Sequence, residues 1–270
     1  RGLMGGDCLN YGCVPSKALI RSSRAAFDAA NAEAFGIRAS GAAADFAAIM
    51  ERMRRLRSGI ARHDSAKRFR DAGIDVFLGH GVFVGGDELQ VGETRLRFAR
   101  AVIATGARAA SPPIPGLEDV GYLTNETVFS LTELPKRLLV IGAGPLGCEL
   151  AQAFQRFGAE VFVISLDSRV LPREDPDAAT ILTAQIKGEG IQLALGAKIQ
   201  RLEKRGTDKV VLFDLDGVQE ELCGDELLVA VGRRPNTEGL GLDAAGVRHD
   251  RGGVKVDDRL RTTNRKIFAA

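Results

Sequence analysis

Apolar residues over 46–60 recur at intervals of three and four, the spacing that places them on one face of an α-helix. A first helix is predicted to begin at Pro15, where the missing backbone N–H costs nothing, and to end near Ala30. A Gly- and Ala-rich stretch over residues 36–44 separates it from a longer helix, predicted from about Asp45 to Asp71. The apolar face of the longer helix comprises Phe46, Ile49, Met53, Leu56 and Ile60.

The opposite face of the longer helix is basic. It carries Arg52, Arg54, Arg55, Arg57, Arg62, Lys67 and Arg68. Such a row is compatible with phosphate binding, but Glu51, Asp64 and Asp71 interrupt it. We therefore expect a face exposed to water, the usual environment of charged residues on an amphipathic helix.

Short apolar runs separated by turn residues predict a group of strands after this helix. They are Ile74–Leu78, Gly81–Val84, Glu88–Val91, Arg95–Phe98 and Ala101–Ala104. The middle runs follow one another closely enough to predict a small antiparallel meander. Pro112, Pro113, Pro115 and Gly116 then mark a linker.

Beyond the linker, strands alternate with helices. The predicted strands are Arg137–Ile141, Glu160–Ser165, Ile191–Leu195, Ile199–Glu203, Val210–Phe213 and Glu226–Ala230, and the predicted helices are Pro145–Phe157 and about Asp175–Gly188. This alternation predicts a parallel sheet with helices on its faces. A last strand-like run, Lys266–Ala270, is expected to return to the sheet of the first domain, which would make the second domain an insertion.

Composition and charge narrow the class of protein. The chain has 270 residues, enough for two domains, and 45% of them are hydrophobic. The net charge of +2 is too near neutral to favour a nucleic-acid or membrane surface, and no apolar run approaches the ~20 residues of a membrane span. Four cysteines are too few for a secreted disulfide scaffold. We expect a cytoplasmic protein with no nucleic-acid or membrane partner.

A glycine-rich turn carries the first chemical signal. Gly142-Ala143-Gly144-Pro145-Leu146-Gly147 matches the dinucleotide-binding fingerprint, between a predicted strand and a predicted helix. Gly142 would form the tight turn, Gly144 would let the backbone approach a pyrophosphate, and Gly147 would let the helix pack on the strand. The N-terminus of the helix would face the phosphates.

The end of the following strand bears on the choice of nucleotide. An NAD-specific site usually has Asp or Glu about 20 residues after the fingerprint, where it binds the ribose hydroxyls. Ser165 occupies that position and Leu166 follows it, while Arg169 and Arg173 lie further along. Because no carboxylate there repels a 2′-phosphate, we expect NADPH, or loose selectivity between the two nucleotides.

Cys8 and Cys13 carry the second chemical signal, because two thiols so close in sequence can cycle between dithiol and disulfide. A structural disulfide is unusual in cytosol, and a metal site lacks a second Cys/His pair at zinc spacing. The redox interpretation uses every feature present: Gly12 permits a bend, and the helix N-terminus and Lys17 favour a thiolate. Cys148 and Cys223 are expected to be core residues.

A nicotinamide transfers a hydride, whereas thiols exchange electrons through sulfur. A flavin is the usual intermediary between them, so a flavin site is expected as well.

Four motifs in order resemble one family. They are Gly-Gly-x-Cys-x-Asn-x-Gly-Cys-x-Pro-Ser-Lys at 5–17, Ala104-Thr105-Gly106, Gly142-x-Gly-x-x-Gly-Cys-Glu ending at Glu149, and Val231-Gly232-Arg233-Arg234-Pro235-Asn236. The chain resembles the class I pyridine nucleotide–disulfide oxidoreductases, which include dihydrolipoamide dehydrogenase, glutathione reductase and mercuric reductase. The Pro-Ser-Lys form is most similar to the dihydrolipoamide dehydrogenase and mercuric reductase branches.

The resemblance implies a fold, two cofactors and a set of roles. The fold would be α/β with two Rossmann-like three-layer domains, a partial FAD domain over 1–121, an inserted NAD(P) domain over 122–250 and a return segment over 251–270. Cys8 would attack substrate and Cys13 would face the flavin. Lys17 would lie near the flavin and pair with Glu149. FAD would contact Gly79, Thr105 and Gly106, and NAD(P)H would contact Gly142, Gly144, Pro145, Leu146, Gly147, Glu149, Ser165, Ile199 and Gly232.

Departures from the family limit what the resemblance implies. Asp7 stands where Thr is usual and is expected to raise the thiol pKa by charge repulsion. Pro145 replaces a larger residue that often gates the nicotinamide pocket. The first FAD fingerprint, the Gly-Asp expected after Ala270 and the C-terminal interface domain with its His-Glu pair are absent, so we expect a fragment of a longer homodimeric protein. None of the three histidines matches a catalytic base.

Three functional hypotheses remain open. The first is an FAD-dependent enzyme that passes electrons from NAD(P)H to the Cys8–Cys13 disulfide and on to a small disulfide or metal-ion substrate. The second is a nucleotide-binding and dithiol module without turnover. The third is a thiol-based binder of a metal ion such as Hg(II). Thr105-Gly106 as an ordinary turn and Lys17 as a surface lysine remain the simpler alternatives for those residues.

Overall fold

The structure is a computed structural model that describes residues 3–39 and 43–270. Part of the predicted Gly- and Ala-rich stretch, residues 40–42, lies outside the described residues. The chain divides into two compact units. One comprises the segment ending at Asp7, Ala61–Arg108 and Arg233–Ala270, and the other comprises Cys8–Ile60 and Ala109–Gly232.

These units differ from the predicted domain boundaries, because residues 8–60 group with the second half of the chain. The physical reason is the packing of the helix after Cys13 against the helix after the glycine turn, through one shared hydrophobic cluster. The boundaries at 121/122 and 250/251 concern which nucleotide each domain binds, and they stay a prediction.

The α-helices are α1 Gly6–Tyr11, α2 Cys13–Ala30, α3 Phe46–Ala61, α4 Ala66–Asp71, α5 Leu117–Val120, α6 Pro145–Phe157 and α7 Pro176–Gly188. Short 3-10 turns occupy Ala32–Phe35, Arg62–Asp64 and Val128–Ser130. In the described part of the chain, no helix combines the length and the apolar composition needed to cross a membrane.

The strands of the first part of the chain are β1 Gly81–Gly85, β2 Glu88–Val91, β3 Thr94–Arg97, β4 Ala101–Ile103 and β5 Ala107–Ala109. Those of the middle part are β6 Arg137–Ile141, β7 Glu160–Ser165, β8 Gln192–Leu195, β9 Lys198–Arg205, β10 Asp208–Leu215, β11 Val218–Gly224 and β12 Glu226–Val229. The last are β13 Arg233–Pro235, β14 His249–Asp250, β15 Gly253–Val254 and β16 Ile267–Ala269.

The first helix differs from its predicted start. Helix α2 begins at Cys13, so Pro15 lies inside its first turn, where proline is tolerated. A separate short helix, α1, precedes it and contains Cys8. Gly12 separates the two helices with φ −131° and ψ −116°, a conformation that ends α1 and restarts the chain as α2.

The predicted long helix over 45–71 is wrong as a single element. Helix α3 ends at Ala61, a 3-10 turn follows, and α4 begins after Ser65. Ser65 is extended, and its hydroxyl accepts a hydrogen bond from the backbone N–H of Arg68 at 3.2 Å, which makes it an N-cap.

The basic face of α3 is only partly the water-exposed face that was expected. Arg52 donates to the carbonyl of Ala18, Arg54 to that of Leu131 and Arg57 to that of Asn10. These arginines therefore tie α3 to neighbouring segments of its own unit. Arg55 is exposed.

The predicted meander is confirmed: β1, β2 and β3 pair antiparallel in that order. The predicted strand Ile74–Leu78 is wrong, because these residues form no ladder with another described segment. Their apolar side chains remain exposed at Ile74, Phe77 and Leu78. The predicted return strand is confirmed, since β16 pairs parallel with β4.

A four-stranded parallel sheet in the order β8-β7-β6-β12 forms the centre of the second unit. Its strands are apolar on both faces, as expected of a sheet covered on each side. Leu138, Val140, Val161 and Val163 face a cluster shared with α2, α3 and α6. Leu139, Ile141, Phe162 and Ile164 face the opposite cluster.

That opposite face departs from the prediction of helices on both faces. It is covered by α5 and by an antiparallel sheet of β9, β10 and β11, which contribute Leu202, Val211 and Phe213 to the core. Strand β11 was not predicted because its sequence begins Val-Gln-Glu-Glu and lacks an apolar run. The unit therefore has three layers, with helices, a parallel sheet and an antiparallel sheet in turn.

Candidate functional site

The glycine turn between β6 and α6 has a conformation that requires glycine at two positions. Gly142 has φ +110°, and a Cβ atom there would lie 2.6 Å from the carbonyl oxygen of Ala230. A Cβ atom on Gly147 would collide with the carbonyl oxygen of Gly142. The turn therefore brings the end of β6, the start of α6 and the end of β12 into direct contact.

Gly144 serves a different purpose, since a Cβ atom there would meet no heavy atom within 4 Å and its φ is an ordinary −75°. The open space lies at the N-terminus of α6, where Pro145 occupies the first turn. Unpaired N–H groups and the helix dipole favour an anion at such a position. The residues present therefore fit a dinucleotide pyrophosphate over Gly144.

The other predicted nucleotide-binding residues of this unit lie on α6, after β12 and on β9 of the antiparallel sheet. Leu146 packs partly against the hydrophobic core, whereas Pro145 and Glu149 are exposed on α6. Gly232 has φ +119°, and its carbonyl accepts a hydrogen bond from the N–H of Ala110. Ile199 lies on β9 and packs against the second hydrophobic cluster.

Ser165 ends β7 and is 3% exposed, and it organises the residues after it. Its hydroxyl accepts from the N–H of Asp167 at 3.2 Å and lies 3.5 Å from an Asp167 carboxylate oxygen. Gly196 N–H donates to the carbonyl of Asp167, and Ala197 N–H donates to that of Ser165. A carboxylate is thus held beside the strand end, two residues beyond the position where the sequence pattern places it.

The Arg169 guanidinium hydrogen-bonds to the backbone of its own loop. Its Nη2 donates to the carbonyls of Pro172 at 2.7 Å and Glu174 at 2.9 Å. Its Nη1 is buried and has no hydrogen-bond partner among the described residues. Arg173 is exposed.

The thiols of Cys8 and Cys13 are free and exposed, and they lie close enough for Cys13 to act on the pKa of Cys8. The hydrogen bond to Cys13 raises the pKa of Cys8 above its ordinary value, burial and the Cys13 charge add to this, and the charge of Lys17 opposes it. Gly12 and the break between α1 and α2 make this proximity possible.

The pKa of the Cys8 thiol is raised, as expected, but Asp7 is not the cause. Cys13 and burial raise it instead. The Asp7 carboxylate forms an ion pair with Arg233 at 2.5 Å, and Arg233 also donates to the carbonyl of Ala107 at 2.7 Å. Pairing with a guanidinium offsets the negative charge that was expected to act on the thiol.

Lys17 and Glu149 do not form the expected ion pair: both are exposed, and no contact within 4.0 Å joins them in the described structure. Lys17 lies one turn after Cys13 on α2. Its charge acts on Cys8 in the direction that favours a thiolate.

The predicted flavin contacts Gly79, Thr105 and Gly106 belong to the other unit. The Thr105 hydroxyl donates to the carbonyl of Asn236 at 2.8 Å, and the Asn236 amide donates back to the carbonyl of Thr105 at 3.0 Å. Gly106 has φ +66° with open space around a Cβ position. Thr105-Gly106 is therefore a turn fixed by Asn236, with room for a ligand at Gly106.

Comparisons with known proteins agree with these features. The chain matches the family described as pyridine nucleotide-disulphide oxidoreductase over residues 2–270. It is 36% identical to mercuric reductase of Bacillus cereus over 271 residues, covering 100% of this chain and 43% of that protein. It is 35% identical to dihydrolipoyl dehydrogenase of Chlamydia muridarum over 275 residues, covering 98% of this chain and 57% of that protein.

A solved structure shows the same fold. The HOCl-induced flavoprotein disulfide reductase RclA from Escherichia coli superposes with a TM-score of 0.85 at 29% identity, covering 100% of this chain and 58% of RclA. The chain thus spans about half the length of the relatives it matches. The fingerprint turn, the paired thiols and this match over residues 2–270 lead to one conclusion: the chain belongs to the pyridine nucleotide-disulphide oxidoreductase family.

Proposed function

We propose that the chain is the redox and nucleotide-binding part of an FAD-dependent reductase. Electrons would pass from a nicotinamide nucleotide to the Cys8–Cys13 disulfide, and from the dithiol to a small disulfide or a metal ion. One observation carries the proposal: two exposed thiols, close enough to act on each other, share a compact unit with an open dinucleotide turn. Neither feature alone favours a reductase, but together they do.

The nucleotide would bind with its pyrophosphate over Gly144 and the N-terminus of α6, where a side chain would fill the required space. FAD would contact the turn at Thr105 and Gly106, whose backbone is already fixed by Asn236. A bound flavin would supply a two-electron relay between nicotinamide and thiols. Lys17 on α2 would hold a positive charge near the two thiols.

The dithiol would act by thiol–disulfide exchange. The Cys8 thiolate attacks one sulfur of the substrate disulfide, forms a mixed disulfide and releases the first substrate thiolate. Cys13 then attacks the Cys8 sulfur, which closes the Cys8–Cys13 disulfide and releases the second thiolate. Two electrons thus move from the dithiol to the substrate. With Hg(II), two thiolates would instead be ligands before reduction.

The positions of Asp167 and Arg169 favour NADH, although the sequence pattern favoured NADPH. The Asp167 carboxylate lies beside Ser165 at the end of β7 and can accept from ribose hydroxyls. A 2′-phosphate would meet its negative charge, and Arg169 already donates to two backbone carbonyls. We therefore propose NADH as the electron donor.

Anaerobic reduction tests this function. The FAD-loaded protein is titrated with NADH, and thiols are then counted by alkylation and mass spectrometry. The proposal expects Cys8 and Cys13 to gain label together, with a long-wavelength thiolate–flavin absorbance that is lost in Cys13→Ser. Flavin reduction without any new label on the two cysteines would refute the proposed electron path.

A nucleotide-binding module without turnover is the second candidate, and the observation that favours it is that the open space at Gly144 accounts for nucleotide binding without any flavin. Calorimetry separates the two: NADH binding without FAD binding or NADH-dependent dye reduction would favour the module. The third candidate is a thiol-based metal binder. In that case Cys8→Ser should lower the affinity for Hg(II), and an unchanged affinity would rule this candidate out.

A further inference from the structure

The segment between the two thiols is held from outside by two side chains. Arg57 Nη1 donates to the carbonyl oxygen of Asn10 at 3.3 Å, and Asn125 Nδ2 donates to the carbonyl oxygen of Tyr11 at 3.3 Å. These two residues come from distant parts of the sequence. Both bonds lie within one compact unit.

The bonded carbonyls need partners for a local reason. Helix α1 ends at Tyr11, and the last carbonyls of a helix have no partner within it. Gly12 breaks the chain before α2, so neither carbonyl can enter the next helix ladder. Asn10 and Asn125 are only 7% and 6% exposed, so water has little access to either residue.

The two donor residues lie on segments that are held by core packing or by hydrogen bonds to a strand. Arg57 lies on α3, whose Phe46, Met50 and Met53 are buried in the core shared with α2. Asn125 lies two residues after Leu123, which exchanges two backbone hydrogen bonds with the strand β12 residues Leu227 and Val229. Rigid support of this kind is what holds a reactive group in a fixed geometry.

We infer that Arg57 and Asn125 are positioning residues for the dithiol: by holding the Asn10–Tyr11 link, they keep Cys8 and Cys13 at a separation that favours the disulfide. The inference rests on the proposed redox role of the two thiols. A loosened link would let the thiols spend less time together, which lowers their effective concentration towards each other.

Equilibration with glutathione tests the inference. Two thiols and one glutathione disulfide give the Cys8–Cys13 disulfide and two glutathione molecules, so the equilibrium constant follows from the disulfide fraction. The variants are Arg57→Met and Asn125→Ala in the full chain, with Arg55→Met as the matched control. Arg55 lies on the same helix and is exposed. Alkylation and mass spectrometry measure the disulfide fraction, and thermal melting monitors the fold.

The expected result is a fall in the equilibrium constant of about fivefold or more for Arg57→Met and Asn125→Ala, with Arg55→Met unchanged. Arg57 is half-buried, so Arg57→Met decides the question even if Asn125→Ala fails to fold. Unchanged constants in folded variants would overturn the positioning role alone. Failure of the unmodified chain to form the disulfide at any glutathione ratio would overturn the proposed function itself.

Discussion

The carbonyl oxygen of Gly142 fills the space that a side chain on Gly147 would need. Gly144, between them in the same turn, faces open space instead. Two glycines of one fingerprint therefore serve folding and ligand access separately, and their alanine variants should differ. Gly147→Ala should destabilise the protein by about 2–3 kcal/mol through overpacking. Gly144→Ala should cost less than about 1 kcal/mol, the penalty of a poorer N-cap.

The variant with the smaller effect on stability should have the larger effect on nucleotide binding. Gly144→Ala should weaken NADH binding about tenfold or more, because the added methyl group occupies the space for the pyrophosphate. Chemical denaturation and calorimetry on both variants provide the measurement. Equal NADH affinity in Gly144→Ala and the unmodified chain would exclude this turn as the phosphate site.

Asp167→Ala should change the choice of nucleotide. Loss of a charged hydrogen-bond acceptor should weaken NADH binding about tenfold, a typical effect for such a bond. NADPH binding should stay equal or improve, because the removed charge opposes a 2′-phosphate. Calorimetric titration with each nucleotide measures both effects, and Asp177→Ala on the exposed start of α7 is the control. A parallel loss for both nucleotides would indicate a structural role for Asp167 only.

Cys13→Ala should make Cys8 more reactive towards iodoacetamide. The hydrogen bond to Cys13 holds the pKa of Cys8 above its ordinary value of 9.0. Removal of that partner lowers the pKa, so more thiolate is present at about pH 8 and alkylation is faster. Burial raises the pKa of Cys148 to about 11, so this thiol provides an unreactive internal reference. A slower reaction of Cys8 in the variant would contradict the assigned cause.

Glu189→Gln should destabilise the protein at neutral pH and matter less in acid. Glu189 is 6% exposed in its side chain and accepts hydrogen bonds from Arg156 at 2.7 Å. Burial pushes its pKa up, but the bonds from Arg156, Gln185 and Gln152 outweigh burial, and the pKa lies below the ordinary 4.5.

A lowered folded-state pKa stabilises the protein above the ordinary value, and this stability is lost as the pH falls through the folded-state pKa. The variant should lose about 2 kcal/mol at neutral pH, typical of a hydrogen bond to a charged group. The difference from the unmodified chain should shrink below about pH 4.5. Urea unfolding at several pH values measures it, and a difference that grows in acid would contradict the sign.

Local signals predicted the nucleotide-binding core well. Strand β6, helix α6 and strand β7 begin and end where the apolar runs and the glycine turn place them. These boundaries depend on neighbours in sequence, namely Pro145 at the first helical position and Gly158 after the last. Ser65 offered a comparable signal, a serine before a helical segment, but the apolar spacing across it favoured one continuous helix.

Features that depend on distant residues were not predictable in this way. Ile74–Leu78 has the composition of a strand, but a strand also requires a partner to pair with, which one segment's sequence does not reveal. The contacts of Arg57 with Asn10 and of Asn125 with Tyr11 join residues far apart in the chain. Asp167 was missed because the fingerprint spacing identifies a position on the strand, whereas the loop after Ser165 folds back towards it.

The packing of α2 against α6 has a consequence for cooperativity. Ala18 and Leu19 from α2 share one buried cluster with Leu150, Ala151 and Phe154 from α6. Neither helix can detach without exposing the apolar surface of the other, so both should exchange their amide hydrogens as one opening unit. The thiol-bearing helix and the helix at the glycine turn then share a single local stability. A substitution that weakens this cluster should loosen both chemical centres together, and ligand binding at either should protect both.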